Sequence, residues 1–164
     1  MPAPSKVLPG FAAALYCQPT STPTPLTTAA LATVATVAAL AVTANQLPVE
    51  AVPVFGQDDA VATFAVAGSR QSDKIPVQSA PTSLTVTAAW NPSDANLLLM
   101  RGDAATGIID RTFIIAALDG AAAVYYAFNG RVSMFHIDSQ PGAEAKCVFS
   151  IHPRGNQFGW SNAA

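Results

Sequence analysis

Asp119-Gly120 sits between two apolar runs, residues 108–118 and 121–128. Asp-Gly accepts the left-handed backbone of a two-residue turn, so the pattern predicts a hairpin and, with it, an antiparallel sheet. The rest of the chain must supply strands that fit that sheet. Residues 131–138 continue as strand after Asn129-Gly130. That dipeptide reads either as a second hairpin turn or as a bulge in one long strand, because glycine serves both.

Residues 84–90 alternate, with Leu84, Val86, Ala88 and Trp90 on one face and Thr85 and Thr87 on the other. Residues 145–151 place Cys147, Phe149 and Ile151 together, and residues 60–67 form a further strand around Phe64. Residues 49–55 could add an edge strand, limited by Pro48 and Pro53. Residues 31–43 fit helical and strand spacing alike, and β-branched content favours strand over 37–43. One short helix of two to three turns is expected, with Asn91 as its cap, Pro92 in its first position and Gly102 as its stop. Residues 56–59 and 139–142 read as turns, and 68–74 as a polar turn carrying Arg70, Asp73 and Lys74.

The ends look different. Residues 1–28 hold six prolines and read as an irregular extended arm, with Phe11, Leu15 and Tyr16 as apolar anchors. Residues 29–153 form the β domain, and 154–164 a tail whose Phe158 and Trp160 need a surface to cover.

Hydrophobic residues make up 51% of the chain and charged residues 11%, against about 25% charged in an average soluble protein. Such a surface is either uncharged or covered, as in a subunit of a large assembly. The net charge is −2 and no Lys/Arg run occurs, which argues against tight nucleic-acid binding. Cys17 and Cys147 lack metal-ligand spacing and read as reduced thiols. Residues 7–49 carry no charged side chain. Thr33, Thr36 and Thr43 interrupt the run, and Asn45, Gln46 and Pro48 end it, short of the ~20 apolar residues of a span. Pro9, Gly10 and Tyr16 likewise spoil a lipoprotein-type signal ahead of Cys17. No stable membrane insertion is expected.

Nothing in the sequence converges on catalysis. His136 and His152 lack partners at ligand spacing. Ser133, His136 and Asp138 suggest a triad, but Ser133 and His136 would point to opposite faces of a strand. Asp58 and Asp59 are adjacent and would diverge on extended backbone. Phosphate-binding glycine motifs are absent. Tyr125, Tyr126, Phe128 and Phe135 lack the interleaved Lys or Arg of a stacking platform and read as packing. The expectation is a non-enzyme with no cofactor, catalytic or metal residue.

The order strand, short helix beginning near Asp94, hairpin, marked strand and last strand nevertheless has a likeness. The mark is Phe128-Asn129-Gly130-Arg131-Val132-Ser133-Met134-Phe135, with Phe55-Gly56-Gln57-Asp58-Asp59 and residues 68–77 upstream. Over residues 45–153 the pattern resembles the major tail tube protein of long non-contractile tailed phages. The resemblance implies a β-sandwich or half-barrel with one short flanking α-helix and an extended N-terminal arm. It implies hexameric rings whose inner sheets join around a channel, stacked into a tube through which DNA passes on ejection. Partners would be further copies, a tape measure, a terminator and a tip protein, in a virion tail assembled in the host cytoplasm. Phe11, Leu15, Tyr16, Arg70, Asp73, Lys74, Phe158 and Trp160 become candidate inter-subunit contacts, and Asp58 and Asp59 candidate channel or loop acids. It also favours one long strand across Asn129-Gly130. Alternatives are a terminator, hub or secretion-tube protein of the same fold, or a carbohydrate-binding β-sandwich using Trp90, Tyr125 or Trp160.

Overall fold

The computed structural model describes residues 12–53, 55, 57–65, 72–119, 122–139 and 143–161. In chain order these form β1 (Ala12–Cys17), α1 (Thr28–Leu31), α2 (Val34–Leu40), β2 (Gln46–Leu47), β3 (Gln57–Ala65), β4 (Ser72–Pro81), β5 (Leu84–Ala89), α3 (Ala95–Thr106), β6 (Asp110–Asp119), β7 (Ala122–Asp138) and β8 (Lys146–Ser161). A six-stranded antiparallel sheet runs in the order β2-β1-β6-β7-β8-β5, and β3 and β4 pair apart from it. The protein is mainly β with a flanking helix, as the sequence predicts. The β6–β7 pair is the expected hairpin, its tip at 120–121 lying outside the described residues.

The large sheet bends until its edges meet. Just past β2, Glu50 N donates to Thr87 O at 3.0 Å and Ala89 N donates to Pro48 O at 3.0 Å, flanking a bridge between Val49 and Ala88. The expected strand at 49–55 is reduced to this single bridge. Pro48 and Pro53 have no N–H to extend it. The seam nonetheless joins one edge of the sheet to the other and turns it into a small barrel.

Alternation sorts the side chains. Leu15, Cys17, Phe113, Ile115, Phe128, Val132, Phe149 and Ile151 fill the interior, and Leu97 and Met100 of α3 join that cluster. Ala14, Tyr16, Ile114, Ala116 and Ala127 face outward and are covered by Leu31 of α1 and Val37 of α2. The sheet therefore has helices on both sides, one more layer than expected. Burying each large apolar side chain stabilises by about 1.5–3 kcal/mol.

Four expectations are corrected. The N-terminal arm is not irregular throughout, because Ala12–Cys17 pairs with β6 along its whole length. Pro9 and Pro19 bracket this segment without entering it, so its N–H groups are free for a ladder. Second, Val34–Leu40 is helix where strand was expected. Alanines favour the helix, Val37 and Leu40 pack on the sheet, and Asn45 Nδ2 caps the end by donating to Leu40 O at 2.8 Å.

Third, α3 is longer than predicted and starts from a cap at Asp94, where the resemblance places it, and not at Asn91. Asp94 Oδ1 accepts from Asn96 N (2.9 Å) and Leu97 N (3.1 Å), whereas Asn91 caps only the preceding turn at Ser93. The helix passes through Gly102 and stops at Gly107, whose φ of 66° is left-handed. Docking of Leu97, Met100 and Asp103 offsets the roughly 1 kcal/mol lost with an interior glycine. Fourth, residues 154–161 are not a tail but the second half of β8, paired with β7. Pro153 is tolerated because Gly155, at φ 70°, bulges out of the ladder beside it.

Strand β7 is continuous across Asn129-Gly130, as the resemblance favours. Gly130 marks a close approach, since a Cβ there would lie 3.1 Å from both His152 O and Ile151 Cγ2, and β8 would have to give by a few tenths of an ångström. The kink comes later, at Met134, which has φ 52° and no partner in β8. Of the turns expected at 56–59 and 68–74, the described parts are strand, and residues 56 and 68–71 lie outside the described residues. Asp58 and Asp59 lie in β3, and Asp73 and Lys74 in β4.

A buried ion pair fixes α3 to the barrel. Arg111 donates from Nε to Asp103 Oδ2 at 2.6 Å and from Nη2 to Asp103 Oδ1 at 3.0 Å. Its Nη1 donates to Gln18 O and, at 2.7 Å, to Thr20 O. One guanidinium thus orders the chain leaving β1 as well as the helix. Beside it, burial pushes the Cys17 thiol up to about 12 despite the opposing field of Arg111.

Candidate functional site

Among the described residues, three polar clusters on the outer face of β7 and β8 carry titratable side chains. His152 is held between two hydroxyls, with Ser83 Oγ 2.8 Å from Nδ1 and Ser133 Oγ 2.6 Å from Nε2. A neutral ring donates from one nitrogen and accepts at the other, so the three form a chain from the start of β5 to β7. Among the described residues no carboxylate completes a triad, and no group of three His, Cys, Asp or Glu gathers to hold a metal. Ser133 uses His152 across the ladder, and His136 stays exposed. Positions 83, 133 and 152 are too far apart in sequence for spacing to reveal this.

The second place is centred on Asp110. Arg131 approaches it through Nε at 2.7 Å and Nη2 at 3.2 Å, and Arg154 Nη1 lies 3.3 Å from both oxygens. The hydrogen bond from Arg131 holds the Asp110 carboxyl below the usual carboxylate range. The third is the reverse arrangement. Lys146 pairs with Glu50, and the fields of Glu144 and Asp138 add to that pair in holding the ammonium above its ordinary value.

Apolar surface gathers at the two ends of the barrel. At the α3 end, Arg101, Ala104 and Ala105 face Met134, Phe135 and Ile137 across a groove of about 390 Å³. Met134 is 46% exposed there, and Ile108, two residues past α3, is 71% exposed. The β6 ladder stops at Arg131, so within the described sheet β7 pairs only with β8 from Val132 to Asp138. At the other end, Ala13, Val52, Phe55, Ala117 and Val124 line a mouth of about 410 Å³. Phe55 reaches Tyr126 there, with ring centroids 4.8 Å apart.

The expected contact residues distribute unevenly. Leu15 is 0% exposed in the barrel interior and Tyr16 9% beneath the helices. Both are corrected from anchors for a neighbour to parts of this subunit's own core, a consequence of β1 joining the sheet. Phe158 and Trp160 stand opposite Ala127 and Tyr125 in the β7–β8 ladder. Asp58 and Asp59 stand opposite Ala80 and Ser79, and Asp73 and Lys74 opposite Phe64 and Thr63. Phe11 and Arg70 lie outside the described residues. Trp90 packs with Phe135 in the interior cluster and Tyr125 in the outer one, so the two do not share a carbohydrate platform. The rings of Phe128 and Phe135 stack on Phe113 and Phe149 inside the barrel, which is the packing role expected.

No protein-family model and no curated protein matches the sequence. Solved structures do match the fold. It is one found in phage-like tail and baseplate particles. A chain from the cryo-EM structure of the anti-feeding prophage baseplate, 6-fold symmetrised, superposes with a TM-score of 0.67 at 10% identity. The match covers 95% of this chain and 97% of that one. A chain from the tail of an empty GTA particle, refined helically with C6 symmetry, superposes with a TM-score of 0.55 at 9% identity, covering 73% of this chain and 90% of that one.

Proposed function

We propose that this chain is a non-catalytic structural subunit of a phage-like tail, forming six-membered rings that stack around a channel. The observation that carries this reading is the sharing of nearly the whole fold with a chain of a 6-fold symmetrised baseplate, together with a C6 tail chain. The surface supports it. Charged residues are 11% of the chain, and apolar side chains stand exposed at both ends of the barrel. The unpaired edge of β7 beyond Arg131 could take a strand from a neighbour. In such a tail the partners are further copies and the tape-measure, terminator and tip proteins, and DNA passes along the channel on ejection.

Negative-stain microscopy of the purified protein tests this. Rings or tubes with a central channel are expected, and a strictly monomeric protein at high concentration overturns the reading. A second reading, a baseplate, hub or terminator ring, draws on the larger overlap with the baseplate chain. Assemblies that stop at one ring favour it, and long tubes favour the tube.

A further inference from the structure

Two charge clusters on this subunit are unbalanced in opposite senses. Around Asp110, two guanidiniums share one carboxylate, and Arg154 is 52% exposed. Around Lys146, the ammonium pairs with Glu50, Asp138 stands opposite Lys146 in the β7–β8 ladder and Glu144 lies two residues before it, and the last two are exposed. The first cluster keeps one positive charge in excess, the second two negative. The two cannot neutralise each other within one copy. Arg131 and Asp138 are seven residues apart on β7, about 20 Å along an extended strand.

We propose that the Arg131–Arg154 patch of one copy docks on the Asp138–Glu144 lip of the next. The contact is head-to-tail, because patch and lip are different surfaces, and such contacts build rings or filaments. It rests on the assembly reading above and names where copies meet. Charge complementarity selects a second copy as the occupant. The chain as a whole is acidic, with a net charge of −2, and two guanidiniums around an aspartate make too small a field to hold a nucleic-acid backbone tightly. Among the described side chains, the lip carries the complementary excess.

Charge reversal tests the contact. Arg154→Glu makes patch and lip both acidic, and Asp138→Arg with Glu144→Arg makes both basic. Each variant alone is expected to lose self-association at least tenfold by analytical ultracentrifugation in 50 mM salt, with an unchanged thermal unfolding midpoint. Mixed in equal amounts, they are expected to associate again, since each patch then finds an opposite lip. Wild-type protein is expected to dissociate as salt is raised. An Arg154→Glu variant that assembles like wild type sinks this contact and leaves the tail reading standing. A mixture that stays apart also overturns it. Binding of a 20-base-pair DNA duplex by wild type but not by Arg154→Glu, with self-association equal in both, reassigns the patch to phosphate. A wild-type chain that never associates sinks the contact and the tail reading together.

Discussion

Arg111, with no exposed surface, holds both carboxylate oxygens of Asp103 in α3 and two backbone carbonyls beyond β1. Removing the acid leaves a guanidinium buried without its counter-charge. Asp103→Ala is therefore expected to destabilise the fold by about 3–5 kcal/mol. The double change Asp103→Leu with Arg111→Met should lose much less, because neither charge is then stranded. Urea denaturation of the three proteins measures both, and equal losses would show that the pair is not the source.

Gly130 lies closer to β8 than a Cβ ordinarily tolerates. An added methyl would sit 3.1 Å from the carbonyl oxygen of His152, which belongs to the β8 backbone and cannot rotate away. Gly130→Ala is expected to cost about 1–3 kcal/mol by overpacking. A melting curve checks this, and an unchanged midpoint would mean β8 shifts freely.

Met134 combines a left-handed backbone with an exposed side chain. For an L-residue that conformation costs roughly 1–2 kcal/mol. Met134→Gly relieves it and should hold or raise the melting temperature. Association should weaken in the same variant, because Met134 lines the groove beside α3. A variant equal to wild type in both measurements would deny the bulge any role in assembly.

Asp110 gives a pH dependence with a definite sign. Its folded pKa is depressed, chiefly by the hydrogen bond from Arg131. The stabilisation from this group is therefore present above the unfolded carboxylate pKa, about 3.9, and fades as pH falls through the lower folded value. Arg131→Gln should move the Asp110 titration up towards the ordinary range in a carboxyl-detected NMR experiment. An unmoved titration would place the cause elsewhere.

The sheet was legible where the periodicity was strong. Leu84, Val86 and Ala88 and the set Cys147, Phe149 and Ile151 face the interior as alternation predicts, because burial on one face fixes their register. The helix at Val34–Leu40 was not legible, since Ala and Thr satisfy both periods and tertiary cover decided between them. β1 was obscured by flanking prolines that fall just outside it, and the second half of β8 by Pro153, which a neighbouring bulge accommodates. The candidate surfaces were less legible still. Asp110, Arg131 and Arg154 come from three strands, and the chain gives no local sign that they meet.

The pairing of β1 with β6 sets a timetable for synthesis. Ala12 lies opposite Leu118 and Cys17 opposite Phe113, so the first strand waits for partners made about 100 residues later. At ~5–20 residues per second that interval is on the order of 5–20 s. During it Leu15, Tyr16 and Cys17 have been made without the strands that will bury them. The barrel's seam at Pro48–Glu50 also depends on β5, at the far edge of the sheet. Nascent copies on one message thus carry their least soluble part ahead of its partners, which makes the first strand the place where a chaperone or a slower codon would matter.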